Sequence, residues 1–266
     1  MIGCGIGLTP MGGTTAMTRA GFVQRMLAIS TNSCTFLWAS KSGDTNTSTT
    51  DDTNARTITW DADVSGRITA QGTNSIQTFD GIANRGSAPD TLSLSFGNGV
   101  TDLPFSLVAL VNVTDTAVAR TIIAKWDNGA GETEWDLAIT AADKLTLLLR
   151  DKSAAVNTSR LSDAVITQGA LHVLASTYDG TGGATAADGM VLYQDRAVIA
   201  STPTNDAAYV AMENLTAPAT VGSLDVATGQ FFQGSQGFVR IDTVALTLAQ
   251  INEICDLANA YYGLSL

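Results

Sequence analysis

Leu171-His-Val-Leu-Ala-Ser-Thr-Tyr-Asp-Gly180 decides the fold class. Successive side chains of a strand point to opposite faces. Leu171, Val173, Ala175 and Thr177 therefore oppose His172, Leu174, Ser176 and Tyr178, and both faces look largely covered. Asp179-Gly180 ends the run with a turn pair. The same pattern continues outward. Upstream, strands are expected near 75–80, 91–96, 105–113, 120–126, 134–140 and 144–150; downstream, near 190–199, 218–223 and 231–246. Turns such as Asp127-Asn-Gly129 and Asp188-Gly189 separate several of them. In Glu134 to Ile139, Trp135, Leu137 and Ile139 share one face, and Glu134 and Asp136 the other. Arg56-Thr-Ile-Thr-Trp60 and Arg67-Ile-Thr-Ala70 flank Asp61-Ala-Asp-Val-Ser-Gly66, which reads as a hairpin loop. About a dozen short strands at this spacing imply a sandwich or barrel.

Composition agrees. Of 266 residues, 45% are hydrophobic and only 15% charged, and the polar share is mostly Thr, Ser, Asn and Gly. That excludes a coiled coil or helical bundle. The 14 Lys plus Arg against 25 Asp plus Glu give a net charge of -11. Nucleic acid needs basic clusters, so it is not an expected partner. No apolar run reaches the ~18 residues of a membrane span, so no membrane role is expected. Met1 to Pro10 lacks the basic start of a secretory signal, and Cys4, Cys34 and Cys255 are sparse and far apart. Reduced thiols and synthesis in a cytoplasm are the expectation. The Asn-x-Ser/Thr sequons at Asn46, Asn112, Asn157 and Asn214 are attributed to chance in a Thr-rich chain.

The ends differ from the middle. Residues 1–17 carry no period, and Ser42 to Asn54 is almost wholly Ser, Thr, Asp and Asn. Between them, Phe22, Val23, Met26 and Leu27 share one face of a short helix over 18–29, capped by Thr18. The division expected is an N-terminal extended arm and anchoring segment, 1–70, followed by a sandwich, 71–266. Trp38 and Trp60 would pack the arm on the sandwich or on a neighbour. Near the C-terminus, Thr247-Leu-Ala-Gln250 fits a capping box. Leu248, Ile251, Ile254, Cys255, Ala258 and Tyr261 follow at helical spacing, and Gly263 fits the stop.

An ordered series of weak motifs runs through residues 75–263. It comprises Phe79-Asp-Gly81, Phe105 to Val111, Arg120 to Lys125, Glu134 to Ile139, Lys144 to Leu149, His172 to Gly180, Val191 to Arg196, Val221-Gly222, Phe232-Gln-Gly234, Phe238 to Asp242 and the Thr247 helix. In order and spacing this series resembles the laminin-G-like members of the concanavalin-A-like lectin/glucanase superfamily. The resemblance implies an all-β, antiparallel jelly-roll β-sandwich with a C-terminal helix.

Candidate sites follow. Glu132-Thr-Glu134-Trp-Asp136 sets carboxylates two residues apart, ~6.5–7 Å along a strand. Retaining glycosidases use two carboxyls ~5–5.5 Å apart. Glucanases of the superfamily carry acids at such spacing, but with Asp in the middle and Glu last, the reverse of this order. A solvated strand face is the favoured reading. His172, the single histidine, is assigned a structural place, since no Gly-x-Ser-x-Gly elbow or nearby Cys accompanies it. Zinc has too few ligands. Asp61 to Gly66 begins like a calcium loop, yet its twelfth position is Gly72, so calcium is at most a minor alternative and no cofactor is expected. Asp127, Asp179, Asp188, Asp206 and Asp225 in loops form no specific motif.

Glycan binding needs an exposed aromatic beside polar groups. Trp126 with Asp127 and Asn128 is the first candidate, because the indole abuts a turn, and Tyr209 is the second. The competing reading, given greater weight, has Trp126 closing the sandwich end. Trp135 and Tyr178 are assigned to the core.

The expected function is a non-enzymatic structural or adhesion component of an assembled particle, such as a phage-like virion, with other particle proteins and its own copies as partners and a host-surface glycan as possible ligand. The alternatives are a free-standing carbohydrate-binding lectin and a glycoside hydrolase using Glu132, Glu134 and Asp136.

Overall fold

The computed structural model describes residues 16–30, 32–41, 48–53, 55–61, 68–71, 74–114, 117–227 and 229–266. In chain order the elements are α1 (Arg19–Ala28), β1 (Cys34–Ala39), β2 (Ser48–Thr50), β3 (Thr57–Trp60), β4 (Ile68–Gln71), β5 (Asn74–Asp80), β6 (Gly86–Ala88), β7 (Phe105–Val113), β8 (Arg120–Asp127), β9 (Glu132–Ile139), β10 (Leu145–Asp151), β11 (Val156–Ser162), β12 (His172–Tyr178), β13 (Met190–Gln194), β14 (Ala197–Val198), β15 (Ser201–Thr204), β16 (Ala219–Val221), β17 (Gln233–Asp242) and α2 (Leu248–Tyr262). They form an antiparallel jelly-roll sandwich of two sheets. The first has the order β14-β13-β12-β7-β17-β5-β4, with β1 also on β17; the second is β15-β11-β10-β9-β8-β16-β6-β3-β2.

Two apolar layers hold this together. Between the sheets lie Phe36, Trp38, Leu107, Ala109, Val111, Trp135, Leu137, Leu147, Val239 and Ile241. On the outer face of the first sheet, Val108, Leu110, Val173, Ala175 and Phe238 pack under Phe22 and Met26 of α1 and Ile251, Ile254 and Leu257 of α2. This third layer explains why both faces of β12 and β7 are apolar. Phe22 stacks on Tyr261 with centroids 4.4 Å apart and meets Tyr262 edge-on at 5.8 Å.

Strand β17 changes partners along its length. Its first half pairs with β5 and its second with β1, and the register on β7 shifts between Gln236 and Phe238. Gly237 sits at that shift. A Cβ there would lie 2.7 Å from the Leu110 side chain and 3.1 Å from the Tyr262 ring, so any other residue would force Leu110 to shift.

Both helix caps are as expected. The Thr18 side chain accepts from Gly21 N, and Thr247 with Gln250 closes a full capping box before α2, which ends at Gly263 with φ 69°. Two strand expectations change. Residues 91–96 hold a short 3-10 turn, Leu92–Leu94, and 190–199 is a hairpin, because the chain reverses at Asp195 with φ 55°.

The boundary after residue 70 is corrected. Strands β1, β2 and β3 belong to the two sheets, and α1 lies in the helical layer. Arg240, fully buried, joins these parts. Its guanidinium donates to Asp242 through two bonds of 2.6 Å, to Ser30 Oγ at 2.7 Å, and to the Met26 carbonyl near the end of α1. Asp242 accepts further bonds from Ser30 and Ser33. The hairpin loop and calcium-like segment at 62–67, with Gly72, and residues 1–15 lie outside the described residues.

Candidate functional site

The outer face of the second sheet carries the candidate site. On β10, Leu145, Leu147 and Leu149 point into the core, so Thr146, Leu148 and Arg150 point away from it and stay half-exposed. Trp126 pairs with Thr133 across β8 and β9, and Arg150 with Asn157 across β10 and β11. Trp126, half-buried, belongs to neither apolar layer. Its indole therefore does not close the sandwich end. It borders an open basin of about 360 Å³ together with Asn128, Gly131, Thr133, Arg150 and Lys152.

The indole is held in place. Trp126 Nε1 donates to Asn128 Oδ1 at 2.8 Å, and Asn128 Nδ2 donates to Asp225 Oδ2 at 3.1 Å. Asp225 is fully buried, which anchors the chain of bonds in the fold. Asp127 serves the turn, accepting from Ala130 N at 3.0 Å, and does not line the basin. Tyr209 requires correction as an exposed platform. It is 2% exposed, and its hydroxyl donates to Asp102 Oδ2 at 2.9 Å. Tyr178 donates to the same oxygen at 2.8 Å, and Met212 N donates to Oδ1 at 2.8 Å. Burial raises the Asp102 carboxyl despite these donors.

The acidic run does not converge on one face. The β8–β9 register passes from Lys125–Trp135 to Trp126–Thr133, leaving Glu134 as the extra residue of a bulge. A bulge breaks the two-residue alternation. Glu134 is fully buried, and its Oε1 accepts from Lys125 Nζ at 2.5 Å, Leu215 N at 2.9 Å and Ser95 Oγ at 3.1 Å. Lys125 also meets Asp90 at 3.0 Å. Glu132 Oε2 instead accepts from Thr216 N at 2.7 Å. Asp136 is 6% exposed. Glu132 stays half-exposed, but Glu134 and Asp136 are buried rather than solvated. Burial pushes Glu134 up to about 7 against the Lys125 charge, and Asp136 up to about 7 against a Thr121 hydrogen bond.

His172 and several loop aspartates hold turns. His172 Nδ1 lies 2.7 Å from Asp195 Oδ2, whose other oxygen accepts from Val173 N. Asp179, Asp206 and Asp225 each accept a backbone N–H two residues on, and Asp188 accepts from Asn205. Burial pushes the Cys34 and Cys255 thiols up to about 12, which suppresses thiolate chemistry. Among the described residues, no group of three or more His, Cys, Asp and Glu is placed to hold a metal, and no helix is long and apolar enough to cross a membrane.

No family model and no curated protein matches the chain. Solved structures do match. The binding domain of botulinum neurotoxin serotype D aligns with a TM-score of 0.59 at 14% identity, covering 87% of this chain and 52% of that one. The type G receptor-binding domain aligns at 0.57 and 13%, covering 85% and 51%. This chain is an antiparallel β-sandwich of the same fold. Trypanosoma rangeli sialidase in complex with sialic acid shares the sandwich at a TM-score of 0.58 and 11% identity, covering 89% of this chain and 35% of that one. The chain thus spans about half the length of the neurotoxin chains it matches. At such identities the likeness is one of fold alone, and it extends over about a third of the sialidase chain.

The sandwich also explains which basin residues the sequence reading missed. Thr133, Arg150 and Lys152 are separated from Trp126 in sequence and meet it only through strand register. A signal was present, in that Arg150 and Lys152 lie two residues apart where an apolar strand ends.

Proposed function

We propose that the chain is a non-catalytic glycan-binding module with Trp126 as its stacking platform. The observation that carries this is the open basin beside an indole fixed by Asn128. Sugar C–H faces stack on an aromatic ring, while hydroxyls pair with neighbouring polar groups. Asn128, Thr133, Arg150 and Lys152 supply such groups around the ring. The receptor-binding neighbours are compatible with this reading through their fold. Of the carboxylates weighed for hydrolysis, Glu134 and Glu132 are engaged with Lys125 and backbone N–H groups, and Asp136 is buried beside Thr121.

A glycan array probed with wild type and Trp126→Ala tests the proposal. Loss of the platform is expected to weaken binding at least tenfold, about 1.4 kcal/mol, with thermal stability unchanged because the indole is outside both apolar layers. Wild type binding no glycan, or Trp126→Ala binding as well as wild type, overturns it.

Membership of an assembled particle, such as a phage-like virion, is a separate proposal supported by the Gly- and Thr-rich residues 1–17. Its test is a chain starting at Ala16 co-expressed with the particle's other proteins. The sandwich folds and incorporation fails if the leader anchors it; normal incorporation rejects the anchoring role.

A further inference from the structure

We infer that the glycan taken by the Trp126 basin is anionic, recognised through Arg150 and Lys152. This rests on the glycan reading above and specifies its ligand class. The chain carries -11 net charge, and six of its 14 Lys and Arg residues are neutralised by ion pairs within the fold. Arg19, Arg56, Arg85, Lys125, Arg196 and Arg240 all pair with carboxylates. Arg150 and Lys152 enter none of the ion pairs among the described residues, and both line the one basin that Trp126 borders. Two unneutralised cations beside an aromatic ring, on an acidic molecule, are placed to take a negative group.

Their surroundings keep them available. Arg150 Nη1 donates to a neutral partner, Asn157 Oδ1, at 3.0 Å, which orients the guanidinium and leaves its other donors free for an oxyanion. Lys152 stands at the basin wall, its Nζ 3.1 Å from where a Cβ on Gly131 would lie. Any side chain at 131 would crowd the ammonium, and Gly131 also has φ 69°.

The acids that border the basin residues face other tasks, Glu132 accepting from Thr216 N. Asp151 accepts from Ala154 N, Ser153 Oγ and Val210 N. Glu213 accepts from the backbone N–H groups of Lys152 and Ser153 at 2.8 and 2.7 Å, fixing the turn that presents Lys152. Asp127 and Asp225 are engaged with Ala130 N and with Asn128 and Ala227 N. None of these carboxylates lines the basin.

The chemistry calls for a saccharide bearing a carboxylate or a sulfate. The experiment measures binding of one neutral oligosaccharide and of its carboxylated and sulfated counterparts to wild type, Trp126→Ala and an Arg150→Gln/Lys152→Gln double variant. Wild type is expected to prefer at least one acidic form by roughly tenfold or more, and that ratio is expected to fall towards one in the double variant. Raising salt from about 0.05 M to about 0.5 M should shrink the ratio in wild type alone. Preference for one acidic form identifies the anion. Equal binding of neutral and acidic forms by wild type, or a preference that survives in the double variant, overturns the inference while leaving the glycan reading intact. Binding of none of the sugars overturns both.

Discussion

Glu134 and Asp136 show how one residue of register redirects chemistry. The alternating acids are legible in the sequence, but the bulge that separates them is not, because no Gly or Asn marks it. Glu134 therefore turns to Lys125, and Asp136 lies buried beside Thr121. The pH consequence can be worked out for Asp136. Its folded carboxyl titrates near 7, above its ordinary 3.8. Between those values the native state binds more protons than the unfolded state, so stability falls as pH rises through this window. The slope contributed is at most about 1.4 kcal/mol per pH unit. Asp136→Asn keeps the shape and removes the titration. Urea unfolding from pH 4 to 7 should then show a flatter decline in the variant; parallel curves would contradict the assignment. Tyr209 teaches the complementary lesson, since nothing in its loop announces that Asp102, far away in sequence, draws its hydroxyl inward.

Among the elements, apolar periodicity located β7, β8, β9, β10 and β12, and capping residues located α1 and α2. The strands it missed carry no such pattern. Strand β11, Val-Asn-Thr-Ser-Arg-Leu-Ser, is held by polar contacts, including Arg160 to Ser201 of β15 at 2.8 Å. Compositional change also misplaced the N-terminal boundary, because polar residues 42–54 interrupt segments that the sheets reunite. Phe36, Leu37, Trp38 and Ala39 of β1 are fully buried, and alternate residues feed the two apolar layers. Losing one such large side chain costs about 2–5 kcal/mol, against a total stability of roughly 5–15 kcal/mol. A chain of residues 71–266 is therefore expected to lack a cooperative thermal transition, whereas 16–266 retains one. A sharp transition from the shorter chain would show that the sandwich closes without β1.

At the scale of the whole molecule, three layers divide the labour. The inter-sheet core fixes strand register, the helices seal one face, and the opposite face is left for the half-exposed row that contains Trp126 and Arg150. The fold class was readable because both sheets repeat a simple two-residue pattern. The basin was only partly readable, because it depends on which strands become neighbours. Strand β17 has a further consequence. It is the shared partner of β1, β5 and β7, so Ser30 must wait for Asp242, 212 positions later, before its buried hydroxyl is satisfied. During synthesis on the ribosome, the first sheet stays without its central rung until this late strand emerges. Such distant pairing favours slow folding, on the order of milliseconds to seconds, with unpaired edges exposed meanwhile. The nascent chain is thus most vulnerable to self-association until Gln233–Asp242 has been made.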